Sequence, residues 1–277
     1  MKPRRFAYCR PDTLDEALAL LAAHGDAACV LAGGQSLVPM LNFRLVDAAV
    51  VIDIARLAEL GEIRETDDAL EVGAAVTQAR LLAHPGLARS MPLLARAMPF
   101  VGHVQTRSRG TVCGSLAHAD PSAELPLCLA TLGGFVVLRS TRGERVLAAG
   151  DFQTGALTTA REPDELIVAA RFPRAPASAG FAFAEVARRH GDFAIVALAA
   201  IAHGPGRRLR LGVGGVADRP VARAWADLGP DDLPDALNDF AWALGGRDDL
   251  HASAHFRRDL VRQLGRRVLE EAASCGA

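Results

Sequence analysis

Two glycine-rich segments constrain the fold of this chain more than any other feature. The first, residues 32–36 (AGGQS), follows an apolar run at residues 29–32 and precedes a short helical pattern that ends near Arg44. Glycine adopts positive φ without a steric penalty and lets another backbone or a ligand approach closely. A turn that opens a helix also exposes unpaired N–H groups at the positive end of the helix dipole. This segment therefore indicates either a tight turn or a phosphate site.

The second segment, residues 107–124, adds polar groups suited to a dinucleotide. Backbone N–H groups and hydroxyls bind phosphate oxygens, arginine adds positive charge, and a carboxylate accepts from ribose hydroxyls. The residues of these types are Arg107, Arg109, Gly110, Thr111, Gly114, Ser115, Asp120 and Glu124. Each one alone is equally explained by a polar loop with local caps. Two such segments in one domain favour a diphosphate-and-ribose site, and we expect the polar stretch at 106–126 around the second to be a long irregular loop.

Composition excludes several other classes of function. The 277 residues carry 31 basic and 32 acidic side chains, so no overall charge favours nucleic acid or an anionic membrane. No apolar stretch of about 18 residues and no signal peptide are evident, which predicts a cytoplasmic protein without a membrane span. The five cysteines include no C-x-x-C pair, which argues against an iron–sulfur or zinc site on this chain.

The remaining patterns predict an α+β protein of two domains. Thr13 is expected to cap a helix that ends at Gly25, with Glu16 closing a capping box, and Thr77 and Pro92 are expected to begin two further helices. A proline-rich break at residues 171–180 suggests domains at 1–175 and 176–277. After it, three strand-like runs at 181–188, 192–203 and 207–217 precede two helical runs at 234–244 and 251–273, an order typical of α+β units.

Several stretches resemble one known family. They are AGGQS at 32–36, TVCGS at 111–115 with LAHADPSAELP running on from it, PDTLDEALALLA, ELIVAARFP, RRHGDFAIVALAA and LGVGGVADRPVARA. In this order they resemble the FAD-binding medium subunit of molybdenum hydroxylases of the aerobic carbon monoxide dehydrogenase and xanthine dehydrogenase type. The resemblance covers nearly the whole chain. It implies a two-lobed FAD-binding domain of the vanillyl-alcohol oxidase and p-cresol methylhydroxylase type, followed by a small α+β C-terminal domain of antiparallel strands plus helices.

The resemblance also implies which residues bind FAD. Two segments would enclose the pyrophosphate, Glu124 would reach the adenosine part, the Ile167 backbone would meet the flavin, and Phe193 would lie by the isoalloxazine. The segment residues are Ala32, Gly33, Gly34, Gln35, Ser36 and Leu37 on one side, and Thr111, Val112, Cys113, Gly114 and Ser115 on the other. The resemblance implies no catalytic residue and no metal ligand on this chain.

The second segment departs from the family pattern T-I-G-G-S. Cys113 stands in place of the first glycine, and if that position requires positive φ the cysteine costs about 1–2 kcal/mol. Phe193 stands where tyrosine is common and lacks its hydroxyl. A covalent flavin bond to His118, a redox role for Cys113 and a metal shared by His251 and His255 are weaker hypotheses than non-covalent FAD and a solvated helix face.

The implied function is electron transfer within a complex. FAD would take electrons from [2Fe-2S] clusters of an iron–sulfur small subunit, after oxidation of substrate at a molybdopterin large subunit, and pass them to an external acceptor. The assembly is expected to be a dimer of heterotrimers. Two alternatives stay open: a stand-alone FAD-dependent oxidase or reductase, and a flavin-free structural subunit. The basic helix that follows residue 251 is expected to be a solvated face or, less favoured, a subunit contact.

Overall fold

The computed structural model describes residues 2–203 and 208–275. Its helices are α1 (Leu14–His24), α2 (Leu37–Asn42), α3 (Gln78–Leu82), α4 (Leu87–Ser90), α5 (Pro92–Ala97), α6 (Val104–Arg107), α7 (Val112–His118), α8 (Glu124–Leu132), α9 (Ala149–Phe152), α10 (Leu233–Ala243) and α11 (Ala254–Cys275). Its strands are β1 (Ala7–Cys9), β2 (Ala28–Leu31), β3 (Val50–Asp53), β4 (Ile63–Glu65), β5 (Ala69–Gly73), β6 (Phe135–Ser140), β7 (Gly143–Ala148), β8 (Gln153–Gly155), β9 (Thr158–Thr159), β10 (Leu166–Pro173), β11 (Gly180–Val186), β12 (Val196–His203), β13 (Arg208–Gly214) and β14 (Val221–Trp225).

The first lobe is a parallel sheet in the order β1-β3-β2. Parallel strands are usually buried on both faces, which explains why the first three residues of β3, Val50 to Ile52, are all apolar. Val50 and Ile52 pack in the core that also contains the buried face of α1, whereas Val51 packs against Leu41 of α2 on the opposite face. The sheet therefore directs the end of β2 into the turn that opens α2.

Helix α1 begins at the predicted cap. The Thr13 hydroxyl accepts from the Glu16 N–H at 3.2 Å, as a capping residue should. The carboxylate of Glu16, however, accepts from the Asp12 N–H at 2.8 Å and not from the cap residue's own N–H. Of the two bonds of the predicted capping box, the one from the Glu16 N–H to the Thr13 hydroxyl forms, whereas the Glu16 carboxylate binds the N–H of the residue before the cap.

The second lobe is an antiparallel sheet in the order β4-β5-β10-β6-β7. Its central strand, β10, pairs with β5 and β6, and the register with β6 shifts between Ile167 and Ala169. Helices α7 and α8 pack on this sheet and bring the second glycine-rich segment to the start of β10. The register shift at Ile167 to Ala169 is a β-bulge near the start of β10, close to the second glycine-rich segment. The antiparallel lobe meets the parallel lobe in this region.

The C-terminal part is an antiparallel sheet, β11-β12-β13-β14, between two layers of helices. Along β12 the side chains alternate: Ala199 and Ile201 join the core of the N-terminal part, while Leu198 and Ala200 join a second core with α10 and α11. Burial on both faces explains why β12 is almost wholly apolar. Together with the two lobes this confirms the predicted α+β class.

Several local predictions differ from the structure. The predicted irregular segment at 106–126 contains the end of α6, all of α7 and the start of α8, because Thr111 caps the helix that follows it. Strands β1, β4, β8, β9 and β14 were not predicted, and each has five residues or fewer. The run ERVLAAGDF at 144–152, whose apolar residues suggest a single strand, is β7 followed by α9. Arg207, which begins the third predicted run after the linker, lies outside the described residues.

The basic C-terminal helix is not a uniformly solvated face. Arg257 is 3% exposed, and its guanidinium donates to the carbonyls of Ile195 and Gly215 and to the Asp249 carboxylate at 2.5–2.7 Å. This residue therefore ties α11 to the turn before β12 and to the turn after β13. Among the described helices none combines the length and apolarity needed to cross a bilayer.

Candidate cofactor-binding site

A cavity of about 510 Å³ lies between the two lobes and the first turn of the C-terminal part. This volume is in the range of small-molecule and cofactor sites, about 300–1,000 Å³. Predicted site residues that line it are Ala32, Gly33, Gly34, Gln35, Ser36, Leu37, Thr111, Cys113, Gly114, Ser115, Glu124, Ile167 and Phe193. The two glycine-rich segments thus form walls of the same cavity. Val112 instead packs in the core, and its N–H donates to the Val76 carbonyl at 3.1 Å.

The first segment presents free backbone donors. Gly34 adopts φ +71°, which turns the chain from the end of β2 into α2. Within the described residues, no hydrogen bond engages the N–H groups of residues 33–37, and the first donor of the helix to be satisfied is Val38, which donates to the Gly34 carbonyl. Successive unpaired N–H groups at a helix start form an anion-binding concavity. The anion-site interpretation of this segment is therefore supported by the geometry.

The second segment is pinned in place by hydrogen bonds on both sides. The Thr111 hydroxyl accepts from the Gly114 N–H at 3.0 Å and caps α7. The Gly110 carbonyl accepts from the Gln78 N–H at 2.8 Å, which fixes the segment to the start of α3. Among the described residues the Cys113 N–H has no partner. The segment therefore presents a helix start to the cavity, opposite the first segment.

The two segments touch through glycine. A Cβ built on Gly33 would lie 2.7 Å from the Cα of Gly110 and closer still to the Arg109 carbonyl oxygen. Real Cβ atoms do not approach backbone atoms so closely, so a side chain at this position would force the segments apart. Glycine is required at position 33 by this close approach, whereas at position 34 it is favoured by positive φ.

Cys113 is not strained. It lies within α7, and the residues other than glycine with positive φ in the described chain are Arg44, Ala119, Leu157 and Asp227. The expected penalty for a cysteine at a left-handed position therefore does not arise. The side chain is 2% exposed, with Sγ 3.5 Å from the Val72 carbonyl oxygen, and burial raises the pKa of the thiol to about 12. A thiol held protonated in this way is unsuited to redox chemistry.

Glu124 is an acidic residue in an apolar position. It begins α8 and is 5% exposed, and its own backbone N–H donates to the carboxyl group. Burial raises the pKa of its carboxyl to about 7, the negative charge of Asp120 adds to this, and the positive charge of Arg107 opposes it. Because the group lines the cavity, it supplies an oxygen there that can be either neutral or charged near neutral pH.

Ile167 and Phe193 both line the cavity, but one is buried and the other is exposed to solvent. Ile167 is 5% exposed at the start of β10, next to the bulge, whereas the Phe193 ring is 62% exposed in the turn before β12. A large apolar ring exposed at a cavity mouth is available to cover a planar ligand or to meet another protein. The resemblance predicted both positions near the flavin, and both line this cavity.

Two cavity residues have no signal in the sequence. Gln78 is 5% exposed, and its Oε1 is buried with no hydrogen-bond partner in the described residues. Arg161 lines the opposite part of the cavity, where its guanidinium donates to the carbonyls of Glu162 and Glu165 and burial lowers its pKa. Both lie outside the glycine-rich segments and reach the cavity only through the packing of the two lobes.

The metal-site hypothesis finds no support in the described residues, where no group of three potential ligands occurs. His251 precedes α11 and does not lie on it with His255, so the predicted spacing of four on one helix is wrong. His255 pairs with Asp259 at 2.9 Å and is largely exposed. The exposed histidine is therefore engaged by a neighbouring carboxylate of its own helix and not by a metal-ligating partner.

A parallel lobe, an antiparallel lobe and a cavity with two free helix starts define a nucleotide-cofactor-binding protein. Residues 4–175 match the family model described as the FAD binding domain in molybdopterin dehydrogenase. The chain belongs to this family.

Curated relatives and solved structures agree with the family. The chain is 36% identical to the 6-hydroxypseudooxynicotine dehydrogenase complex subunit alpha of Paenarthrobacter nicotinovorans, over 98% of this chain and 96% of that protein. It is 41% identical to the caffeine dehydrogenase subunit beta of Pseudomonas sp. strain CBB1, over 80% and 76% respectively. A chain of the carbon monoxide dehydrogenase structure from Hydrogenophaga pseudoflava superposes with a TM-score of 0.93 at 30% identity, covering 100% of both chains. The resemblance stated from the sequence is thereby confirmed.

Proposed function

We propose that this chain is the FAD-carrying electron-transfer subunit of a molybdenum hydroxylase complex. The observation that carries the proposal is the meeting of two glycine-rich segments, each with free backbone donors, in the wall of one cavity. A diphosphate is the ligand such paired anion sites suit best. The family model and the relatives, which are named as dehydrogenase subunits, support FAD as that ligand.

The residues of this chain fit FAD in four respects. The N–H groups of residues 33–37 and of Cys113 would hold the diphosphate, and the orphaned Oε1 of Gln78 would accept from a cofactor hydroxyl. Glu124 would reach the adenosine part, and Ile167 and Phe193 would border the ring system. FAD when bound supplies an isoalloxazine that accepts electrons and passes them on. The protein residues position the cofactor and exclude water from it.

The assembly is also part of the proposal. An iron–sulfur small subunit would deliver electrons, a molybdopterin large subunit would bind the substrate, and the complex would be a dimer of heterotrimers. The relatives are named as subunits or medium chains, which supports a multi-subunit enzyme. These similar chains are named for different substrates. A subunit that is shared in this way is not expected to contain the substrate pocket, which supports placing that pocket on another subunit. A cytoplasmic location and the division at residue 175 stay predictions.

The structure offers an argument against each of the two alternatives. A flavin-free subunit was suggested by strain at Cys113, which lies in a helix without positive φ. A stand-alone oxidase would need a substrate domain, whereas the described C-terminal part is one sheet, both of whose faces are buried against helices. Neither alternative has an observation in its favour.

The test is the visible absorption spectrum of the purified chain, alone and after addition of FAD, followed by acid precipitation. We expect flavin bands and complete release of FAD into the acid supernatant, since the proposed binding is non-covalent. The chain expressed with its complex should copurify with iron, molybdenum and two further polypeptides. Flavin retained in the precipitate would contradict non-covalent binding, and a pure chain that turns over substrate alone would contradict the subunit role.

A further inference from the structure

Arg161 carries a positive charge in the cavity wall, and the proposed function gives it no role. Among the described residues that line the cavity it is the one arginine, and lysine is absent. Its Nη1 donates to the carbonyls of residues 162, 163 and 165 at 2.7–3.3 Å, which holds the guanidinium in place. Of the acids that act on its pKa, Glu165 contributes most, but that carboxylate is bound by Arg145 at 2.5 and 2.7 Å. The cation is therefore left without a counter-ion of its own.

The guanidinium of Arg161 still has donors to offer a ligand. Within the described chain no acceptor bonds to its Nε or Nη2, and neither nitrogen is enclosed by protein. These two atoms carry three N–H groups in one plane. Such a guanidinium binds the acceptor atoms of a ligand and also packs its plane against an aromatic ring. Arg161 therefore suits a flat heteroaromatic ring with acceptor atoms.

Arg161 lies at the β2 end of the cavity. Its positive charge opposes the rise that burial causes in the pKa of the Cys29 thiol, and both residues line the cavity. Cys29 is two residues before the end of β2, and Gly33, where the diphosphate would bind, is two residues beyond that end. At about 3.3 Å per residue the two positions are roughly 13 Å apart along the chain. The guanidinium therefore faces a part of the ligand that lies beyond the diphosphate.

The two ends of the cavity differ in exposure. Phe193 lies where the C-terminal part contributes to the wall, and its ring is 62% exposed. At the end that contains Arg161, the lining residues Ala28 and Leu166 are buried. A ring that exchanges electrons with partner groups needs the open end, because those groups must reach it. The buried end is thus left for the part of the cofactor that does no chemistry.

We propose that Arg161 binds the adenine ring of FAD and makes the site specific for the dinucleotide. This inference rests on the proposed function. Adenine offers a π face on which a guanidinium packs and ring nitrogens that accept its N–H groups. Glu124, assigned above to the adenosine part, suits the ribose hydroxyls, because a carboxylate accepts from them. The base and the ribose are therefore held by different residues.

The experiment compares two flavin ligands that differ only in the adenosine. FAD and riboflavin 5′-diphosphate are titrated separately into the purified full chain, and flavin fluorescence reports binding. For Arg161→Met we expect the dissociation constant of FAD to increase about 5- to 30-fold, as for loss of a desolvated cation–π contact. The dissociation constant of riboflavin 5′-diphosphate should change by less than about twofold, because this ligand has no adenine. Arg161→Lys, which keeps the charge without the planar guanidinium, should give a smaller increase for FAD.

Arg142→Met is the matched control. The Arg142 guanidinium donates to Glu162 at 2.6 Å and to Asp164 at 2.8 Å, so it holds the same turn as Arg161, but it does not line the cavity. Both flavin ligands should bind this variant as tightly as they bind the wild type. A loss of affinity through deformation of the turn would appear in Arg142→Met and would affect both ligands, which separates it from a contact with adenine.

Several results would overturn the inference. Unchanged FAD affinity in Arg161→Met would exclude the contact, and an equal loss for both flavin ligands would assign Arg161 to the flavin half or to the shape of the cavity. If Arg161→Met does not fold by circular dichroism, Arg161→Lys replaces it under the same criteria.

A second ligand keeps the test decisive if riboflavin 5′-diphosphate does not bind the wild type. ADP, which has the adenosine and the diphosphate without the flavin, is then measured by calorimetry and should bind Arg161→Met more weakly than the wild type. Equal ADP binding by both, or none by the wild type, would overturn the inference. Absence of FAD binding by the wild type would overturn the proposed function as well, so the two failures are distinguishable.

Discussion

The contact between the two glycine-rich segments predicts that Gly33→Ala opens the cofactor site. The added methyl group would lie 2.7 Å from Gly110 Cα, whereas carbon atoms in contact are normally about 3.5–4.0 Å apart. The atoms that the methyl group would meet, Gly110 Cα and the Arg109 carbonyl oxygen, both belong to the backbone, so no side-chain rotation can relieve the contact. The segments must separate by roughly 1 Å, and overpacking of this kind costs about 1–3 kcal/mol.

The free-energy cost of Gly33→Ala arises in the cavity wall, so it should be seen both in the stability of the chain and in its affinity for FAD. The free energy of unfolding from urea titrations should decrease by about 1–3 kcal/mol. If the free energy of FAD binding also decreases by about 1–3 kcal/mol, the dissociation constant increases by roughly 5- to 150-fold. Gly150→Ala is the matched control, because a Cβ there meets nothing within 4 Å and the residue lies in α9. Alanine at that position should leave stability unchanged or raise it slightly.

The reasoning is refuted if Gly33→Ala unfolds within 0.5 kcal/mol of the wild type (about the error of such measurements) and binds FAD with unchanged affinity. Equal losses in Gly33→Ala and Gly150→Ala would refute it as well, since the second position has open space. A loss confined to Gly33→Ala would establish that the close approach of the two segments sets the shape of the site.

Three further predictions concern stability. Cys113→Gly, which restores the family residue, should destabilise the chain by about 1–3 kcal/mol in urea unfolding through lost helix propensity and a small cavity, and a gain would contradict the helical position. Arg257→Met leaves two carbonyls and a carboxylate without their donor and should cost about 2–4 kcal/mol, whereas exposed Arg267→Met should cost less than about 0.5 kcal/mol. Because its pKa is raised on folding, Glu185 stabilises fully below about pH 4.5, and this contribution is lost as pH rises toward 8. The melting temperature of Glu185→Gln relative to wild type should therefore increase from pH 5 to 8, and a constant difference would contradict the raised pKa.

Local signals in the sequence determined the parts of the fold that depend on neighbouring residues. The hydroxyls of Thr13 and Thr77 cap their helices as predicted, because a cap bonds to an N–H three residues away. The turn at Gly33 and Gly34 was predicted from the residue type, since glycine permits close approach and positive φ, whereas the helix α7 in the second segment was not predicted. The family resemblance added their common ligand, which no local pattern could name.

Tertiary structure alone decided which distant residues share the site. Strand β1 has three residues and exists because it pairs with β3, more than 40 positions away. Gln78 and Arg161 reach the cavity, and Arg257 reaches the turn before β12, through packing between elements far apart in the chain. Glu185 lies in an apolar strand whose alternation shows two faces but not which partner covers each face. The chain therefore specified the glycines and caps of its anion-binding segments locally, whereas Gln78 and Arg161 join the cavity through long-range packing that no short pattern encodes.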